Sequence, residues 1–194
     1  MDLRDRVYSV LIVSAGESMN SALSALMPMR SYYPLRFVSS IASAKREWSE
    51  HIYDFLIINS PLPDDIGIRF AIDAVSSSSS VVLMFVRSEL EENIRDQLFG
   101  TGVLTLAKPV NRLSLAHALS WMSAIRERLR KLEKKSLSFE EKMQEIRLVN
   151  RAKWVLISVL KLDEPQAHRY IEKQAMDRCI SRKEIAEEII RTYS

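Results

Sequence analysis

Bond-making chemistry needs a nucleophile, a base and a group to orient it, and this chain offers little of that kind. Its three histidines, His51, His117 and His168, are scattered, and its one cysteine is Cys179. No catalytic set can be assembled from them, so no enzymatic activity is expected. A lone cysteine excludes an internal disulfide and leaves no thiolate cluster for zinc, and His168 is too isolated to ligate a metal. Neither a metal site nor a cofactor is expected. Charge is more telling. The net charge is +3, and Lys and Arg against Asp and Glu number 11 to 13 in residues 1–114, 8 to 5 in 115–150 and 9 to 7 in 151–194. The basic excess therefore lies beyond residue 114. Clustered Lys and Arg neutralise phosphates, so a nucleic acid is a compatible partner, although an excess this small is also ordinary for a solvated surface.

The elements that would carry these residues follow from the apolar pattern. At 194 residues and 47 % hydrophobic content, the chain can build one domain or two small ones around a true core. No apolar run approaches bilayer-spanning length, and the N-terminus lacks the order of a signal peptide, so a cytoplasmic protein without a membrane partner is expected. Short apolar runs at 8–13, 35–38, 54–59, 81–86 and 103–106 read as strands buried on both faces. Helical segments alternate with them: one with Met19, Leu23, Leu26 and Met27 on one face that ends at Pro28 and the Tyr32-Tyr33-Pro34 corner, then 41–51, 68–75 and 89–99. Trp48 should pack inward. Five strands alternating with helices predict an α/β fold, a doubly wound five-stranded parallel sheet with any site at the carboxyl ends of its strands.

Leu62-Pro63 and Gly67 after the third strand, and Lys108-Pro109 after the fifth, make residues 1–114 resemble the receiver domain of bacterial response regulators. The resemblance implies a phosphorylation site that has degenerated. Receivers hold magnesium with an acidic pair after the first strand, where this chain has Ser14 and Ala15. They phosphorylate an aspartate at the end of the third strand, where it has Asn59. The hydroxyl residue expected after the fourth strand falls at Val86, and only Lys108 is retained. Magnesium needs carboxylate oxygens and an amide is no nucleophile towards an acyl phosphate, so neither phosphotransfer nor a magnesium site is expected. Asp64 and Asp65 lie in the turn beyond, where Asp serves local hydrogen bonds. In such regulators, the resemblance implies, a sensor or sequestering protein can take over control.

From Leu115 the apolar step alternates three and four residues: Leu115, Ala118, Met122, Ile125, Leu129, Leu132, Ser136, Phe139, Met143, Ile146 and Asn150. That period of 3.5 is a coiled-coil seam. In this register Arg128 faces Glu133 and Lys135 faces Glu140 of a parallel partner, and Asn150 facing its own copy fixes register, which predicts a homodimer joined over 115–150. Lys142 opposite Arg147 is the one repulsive pair.

Beyond Asn150 the helix continues to about Leu162. Asp163 with Gln166, and Ser181 with Glu184, are capping-box pairs that open two further helices, giving a small three-helix bundle over 151–194. The residues Arg151-Ala152-Lys153, Leu156, Glu164-Pro165-Gln166-Ala167, Gln174-Ala175-Met176-Asp177 and Glu184-Ile185-Ala186-Glu187 closely resemble the ANTAR domain. That resemblance implies an RNA-binding output module of transcription antitermination, which binds paired stem-loops of nascent transcripts in competition with a terminator hairpin. Arg151, Lys153, Gln166, His168, Arg169, Lys173, Arg178, Arg182 and Lys183 are then the candidate RNA contacts, through phosphates and splayed bases. Trp154 is expected in the core, with a base-stacking role if it is exposed. Tyr170 and Met176 are expected in the core and Cys179 as a small buried or half-buried filler. Two rival readings remain open: a DNA-binding helix-turn-helix, which the weakly basic second and third helices disfavour, and a protein-interaction scaffold.

Overall fold

In the computed structural model, which describes residues 6–193, the sheet forms as the apolar runs require. The elements are β1 (Tyr8–Val13), α1 (Glu17–Leu26), β2 (Tyr32–Val38), α2 (Ile41–Glu50), β3 (Phe55–Asn59), α3 (Ile68–Ser77), β4 (Val81–Arg87), α4 (Ser88–Leu98), β5 (Leu104–Lys108), α5 (Arg112–Leu160), α6 (Glu164–Arg178) and α7 (Arg182–Tyr193). All strand pairs are parallel, in the order β2-β1-β3-β4-β5. Reversal of the strand order beside β1 and β3 opens the crevice at which folds of this kind place their sites. Two compact units divide the chain, residues 1–130 and 131–194. Among the described residues no helix is long and apolar enough to cross a membrane.

Side chains alternate across β1, so the first unit has two cores. Leu11 and Val13 face a layer with Leu56, Ile58, Phe70 and Met84, against which Trp48 packs as expected. Val10 and Ile12 face the other, with Leu23, Phe55, Ile57, Phe85 and the start of α5. β2 begins at Tyr32, three residues earlier than the sequence suggested. It is one of the two edge strands, where Pro34 needs no ladder partner. Tyr32 is drawn in by aromatic contacts, its ring 6.3 Å from Phe55 and 6.2 Å from Tyr8.

One correction concerns the seam. Met122, with Leu115 and Ala118, lies at most 3 % exposed in the core of the sheet, and Leu129 packs against the same core. Leu115, Ala118 and Met122 therefore cannot meet a partner helix, and Leu129 is half-buried on the same side. A doubly wound sheet must be covered on both faces, and α1 alone does not cover the second. The first turns of α5 supply the rest, and a helix lying on its own sheet shows the same three-four spacing as a coiled coil.

In the second unit Ala152 and Leu156 of α5 close on Ala167, Ile171 and Ala175 of α6 and Ile185, Ala186 and Ile189 of α7. The alanines let the helices approach closely. Both capping boxes form. Asp163 accepts from the Gln166 backbone while the Gln166 side chain accepts from the Asp163 N–H, and Ser181 and Glu184 exchange the same pair of bonds. Cys179 is exposed rather than a buried filler. It sits at the end of α6 with φ 52°, the left-handed turn that closes a helix, and its outward position follows from that turn.

Candidate functional site

At the carboxyl ends of the strands, three of the five residues expected there come together. Ser14 follows β1, Asn59 ends β3 and Lys108 ends β5. The Lys108 ammonium donates to Asn59 Oδ1 at 2.8 Å, and Asn59 Nδ2 donates to Ser14 Oγ at 3.0 Å. Burial, and after it the charge of Arg87, holds the Lys108 ammonium below the usual lysine range. Ala15 is exposed and brings no polar side chain, and Val86 lies fully buried in the layer with Leu56 and Ile58. The adjoining turn is held locally. Asp64 accepts from the backbone N–H groups of Ile41 and Ala42, at 3.0 and 2.9 Å, which caps α2 and lowers its pKa, Ala42 first and Ile41 second. Asp65 accepts from the Gly67 N–H. Gly67 has φ +88°, and a Cβ there would stand 3.1 Å from both Ile41 and Ile58, so the turn requires glycine.

The other end of the sheet holds a cluster that sequence reasoning missed. Asp54, just before β3, accepts from Arg126 Nε at 2.8 Å and Arg130 at 2.7 Å, and from the Ser9 N–H at 3.1 Å. Glu127, 7 % exposed, accepts from Arg130 at 2.8 Å and from the Tyr8 hydroxyl at 3.3 Å. Arg126 and Arg130 extend the buried row Leu115, Leu119 and Met122 at helical spacing. That continuation was the available signal.

The second unit divides the expected RNA contacts into two sets. Lys153 pairs with Glu164 at 2.7 Å, His168 meets Glu172 at 3.3 Å, and Arg182 reaches Glu145 at 3.2 Å and Glu172 at 3.9 Å. Arg178 forms a fork on Glu188 at 2.5 and 2.9 Å, and Gln166 is committed to its capping box. Arg151, Arg169 and Lys173 are exposed and Lys183 half-buried, and among the described residues none of the four forms an ion pair. A cavity of about 410 Å³ lies between α5, α6 and α7, lined by Lys142, Lys153, His168 and Arg182 together with Glu145, Ile146, Val149 and Asn150.

Three aromatic and thioether residues expected in the core are exposed: Trp154 at 70 %, Met176 at 77 % and Tyr170 at 38 %. Trp154 stands two residues from both Ala152 and Leu156, about 200° around the helix from each, so the core contacts of those two turn it outward. Spacing from the alanines outranks hydrophobicity here.

Comparison with known proteins agrees with these two halves. Residues 138–190 match the ANTAR domain family. The transcriptional regulatory protein PdtaR of Mycobacterium tuberculosis is 27 % identical over 145 residues, 73 % of this chain and 69 % of that protein. The signal receiver domain of an HD domain-containing protein from Pseudomonas fluorescens superposes with a TM-score of 0.57 at 18 % identity, covering 68 % of this chain and 96 % of that domain. The non-phosphorylated HemR receiver domain of Leptospira biflexa gives 0.53 at 18 %, over 60 % and 94 %. At such identities these superpositions establish the fold alone.

Proposed function

We propose that this chain, a receiver fold followed by a C-terminal ANTAR domain, is an RNA-binding transcription antitermination regulator. It acts without catalysis, as a homodimer that engages paired stem-loops of a nascent transcript. The observation that carries the reading is the ANTAR match at 138–190, laid over a head with its own core and closed capping boxes. Exposed Arg151, Arg169 and Lys173 supply phosphate contacts. Trp154, exposed beside Arg151 on α5, supplies a face on which an unpaired base can stack. Leu132, Phe139 and Ile146, between 52 and 65 % exposed, with half-buried Met143 and polar Ser136 and Asn150, form the dimer seam. Ile125, 36 % exposed, extends it.

Arg169→Glu combined with Lys173→Glu is expected to weaken binding of a two-hairpin RNA and to flatten the logarithmic salt dependence by about two to four, because each residue occurs twice in the dimer and each lost phosphate contact removes about one counterion from those released on binding. The same pair leaves the dimer intact. Trp154→Ala is expected to cost about 1–3 kcal/mol of RNA affinity without a change in salt slope. Mobility shifts with two-hairpin RNA and with duplex DNA of matching length check both. Equal retention of the duplex would replace this reading with a DNA-binding one, and retention of neither with a protein scaffold.

The receiver-like unit takes no phosphoryl group. With Asn59 in the acceptor place and Ser14 and Ala15 in the acidic ones, neither a carboxylate nucleophile nor a magnesium cage is at hand. Incubation with acetyl phosphate and magnesium should leave the intact mass unchanged. A stable phosphorylated species would overturn this part of the reading. Control then falls to a different input, of which a sensor or sequestering protein is one form.

A further inference from the structure

A cavity of about 460 Å³ opens at the carboxyl ends of the strands between α1 and the start of α5. Its lining mixes two chemistries. Met19, Ala22 and Leu26 of α1 with Val110 and Leu115 give it apolar surface. Ser18, Asn59, Lys108 and Arg112 give it polar and cationic groups. A neighbouring cavity of about 550 Å³ shares Met19, Lys108 and Val110 and adds Arg87, Ser88 and Glu89. Across the two cavities three cations, Lys108, Arg112 and Arg87, stand against one carboxylate, Glu89.

The charge of the site follows from its substitutions. Lys108 donates to the neutral Asn59 amide, and among the described residues it forms no ion pair with a carboxylate. Arg87 adds to the cost of keeping it charged and partly buried. A space in which carboxylates would attract a cation has become one that favours an anion. An anion there would answer the Lys108 charge and so offset both the Arg87–Lys108 repulsion and the cost of keeping the ammonium partly buried. Phosphate would use the polar groups only. The alanine-lined slot along α1 leaves room for a hydrocarbon body, and the volume lies within the range of small-molecule sites.

We infer that this cavity is a binding site for a small organic monoanion, an alkyl or aryl carboxylate, with its carboxylate on Lys108 and Arg112 and its apolar body between Met19, Ala22 and Leu115. Such a ligand touches the first residues of α5 and gives the receiver-like unit an input that needs no phosphorylation. The site is independent of whether the head binds RNA.

The test is titration of the ¹⁵N-labelled full chain with hexanoate and benzoate, with hexanol and inorganic phosphate as partial mimics. Saturable amide shifts confined to Gly16, Ala22, Asn111, Leu115 and their neighbours are expected. Hexanol and phosphate should each need at least tenfold higher concentration. Lys108→Gln should weaken hexanoate at least tenfold and Lys108→Arg much less, while Ala25→Phe, at an exposed position on α1, should weaken it by filling the slot. Thermal melts establish that the variants fold. Absence of saturable shifts, shifts scattered over the surface, equal binding of hexanol or phosphate, or an unaltered hexanoate affinity in Lys108→Gln would each overturn the inference. The acetyl phosphate assay fails or succeeds separately, so a phosphorylated chain and an empty cavity are distinguishable results.

Discussion

Phe139→Asp combined with Ile146→Asp is expected to turn the proposed dimer into a monomer in sedimentation equilibrium while leaving the circular dichroism of the chain unchanged. The two side chains are 65 and 52 % exposed in a single chain, so their loss should cost the folded protomer little. In the dimer each occurs twice. Fully burying an apolar side chain of this size is worth about 1.5–3 kcal/mol, and the seam buries only the half to two thirds still exposed, so four of them contribute on the order of 4–7 kcal/mol, before the added cost of forcing carboxylates into the seam. At about 1.4 kcal/mol per tenfold, the dissociation constant should rise by roughly three to five orders of magnitude. Affinity for a two-hairpin RNA should fall by about 10²–10⁴ with it, because the second head is then no longer held near the second hairpin. Affinity for a single hairpin should not change. A wild-type chain already monomeric at micromolar concentration, or a variant that remains dimeric, would remove the seam from this surface.

Which parts of this molecule can be read from sequence depends on how far apart the deciding partners lie. Val10–Val13 of β1, Phe55–Ile58 of β3 and Val81–Val86 of β4 are uninterrupted apolar runs buried on both faces, and a run of that kind has no other stable place. β2 is harder because it is an edge: Tyr32 joins it through rings of Tyr8 and Phe55, which local pattern does not reveal. The period along α5 identified a long helix and an apolar stripe correctly, but period alone does not distinguish a partner helix from the chain's own sheet, and Met122 fell to the sheet. At the strand ends, motif spacing brought Ser14, Asn59 and Lys108 together because the fold fixes those places. In the head, basic residues were legible and their availability was not. Lys153, Arg178 and Arg182 are answered by Glu164, Glu188 and Glu145 from other helices or other turns, a geometry that appears only once the helices pack. Trp154 shows the same limit in reverse, since its apolar character suggested burial while the alanine spacing on the opposite face excluded it.

Asp54→Asn is expected to destabilise the first unit by about 3–5 kcal/mol, the range for removing one partner from a buried ion pair. Asp54 and Arg126 are each 12 % exposed at the side chain and Arg130 21 %, so the substitution removes from two largely buried guanidinium groups the carboxylate they share, while Arg130 keeps Glu127. Arg130 also stands 5.3 Å over the Tyr8 ring, so the loosening should reach the aromatic cluster at the start of the sheet. The pH dependence identifies the group. Burial raises the pKa of Asp54, but the bonds from Arg126 and the Ser9 N–H and the charge of Arg130 outweigh it, and the net shift is downward. A carboxyl lowered in the folded state binds its proton more readily when unfolded. Its contribution is therefore complete above the unfolded value of about 3.9 and is lost as pH falls through the lower folded one. Urea melts of the wild type and of Asp54→Asn should differ by a constant amount from neutral pH down to about pH 4, and the gap should close below that. A quadruple variant, Asp54→Leu with Arg126→Met, Glu127→Gln and Arg130→Leu, should recover much of the loss, because removing the Glu127 carboxylate together with its Arg130 partner leaves far less charge stranded. If that variant melted no higher than Asp54→Asn, packing rather than stranded charge would account for the loss. If Asp54→Asn melted like the wild type at neutral pH, the first turns of α5 would be held on the sheet by Leu115, Ala118 and Met122 alone.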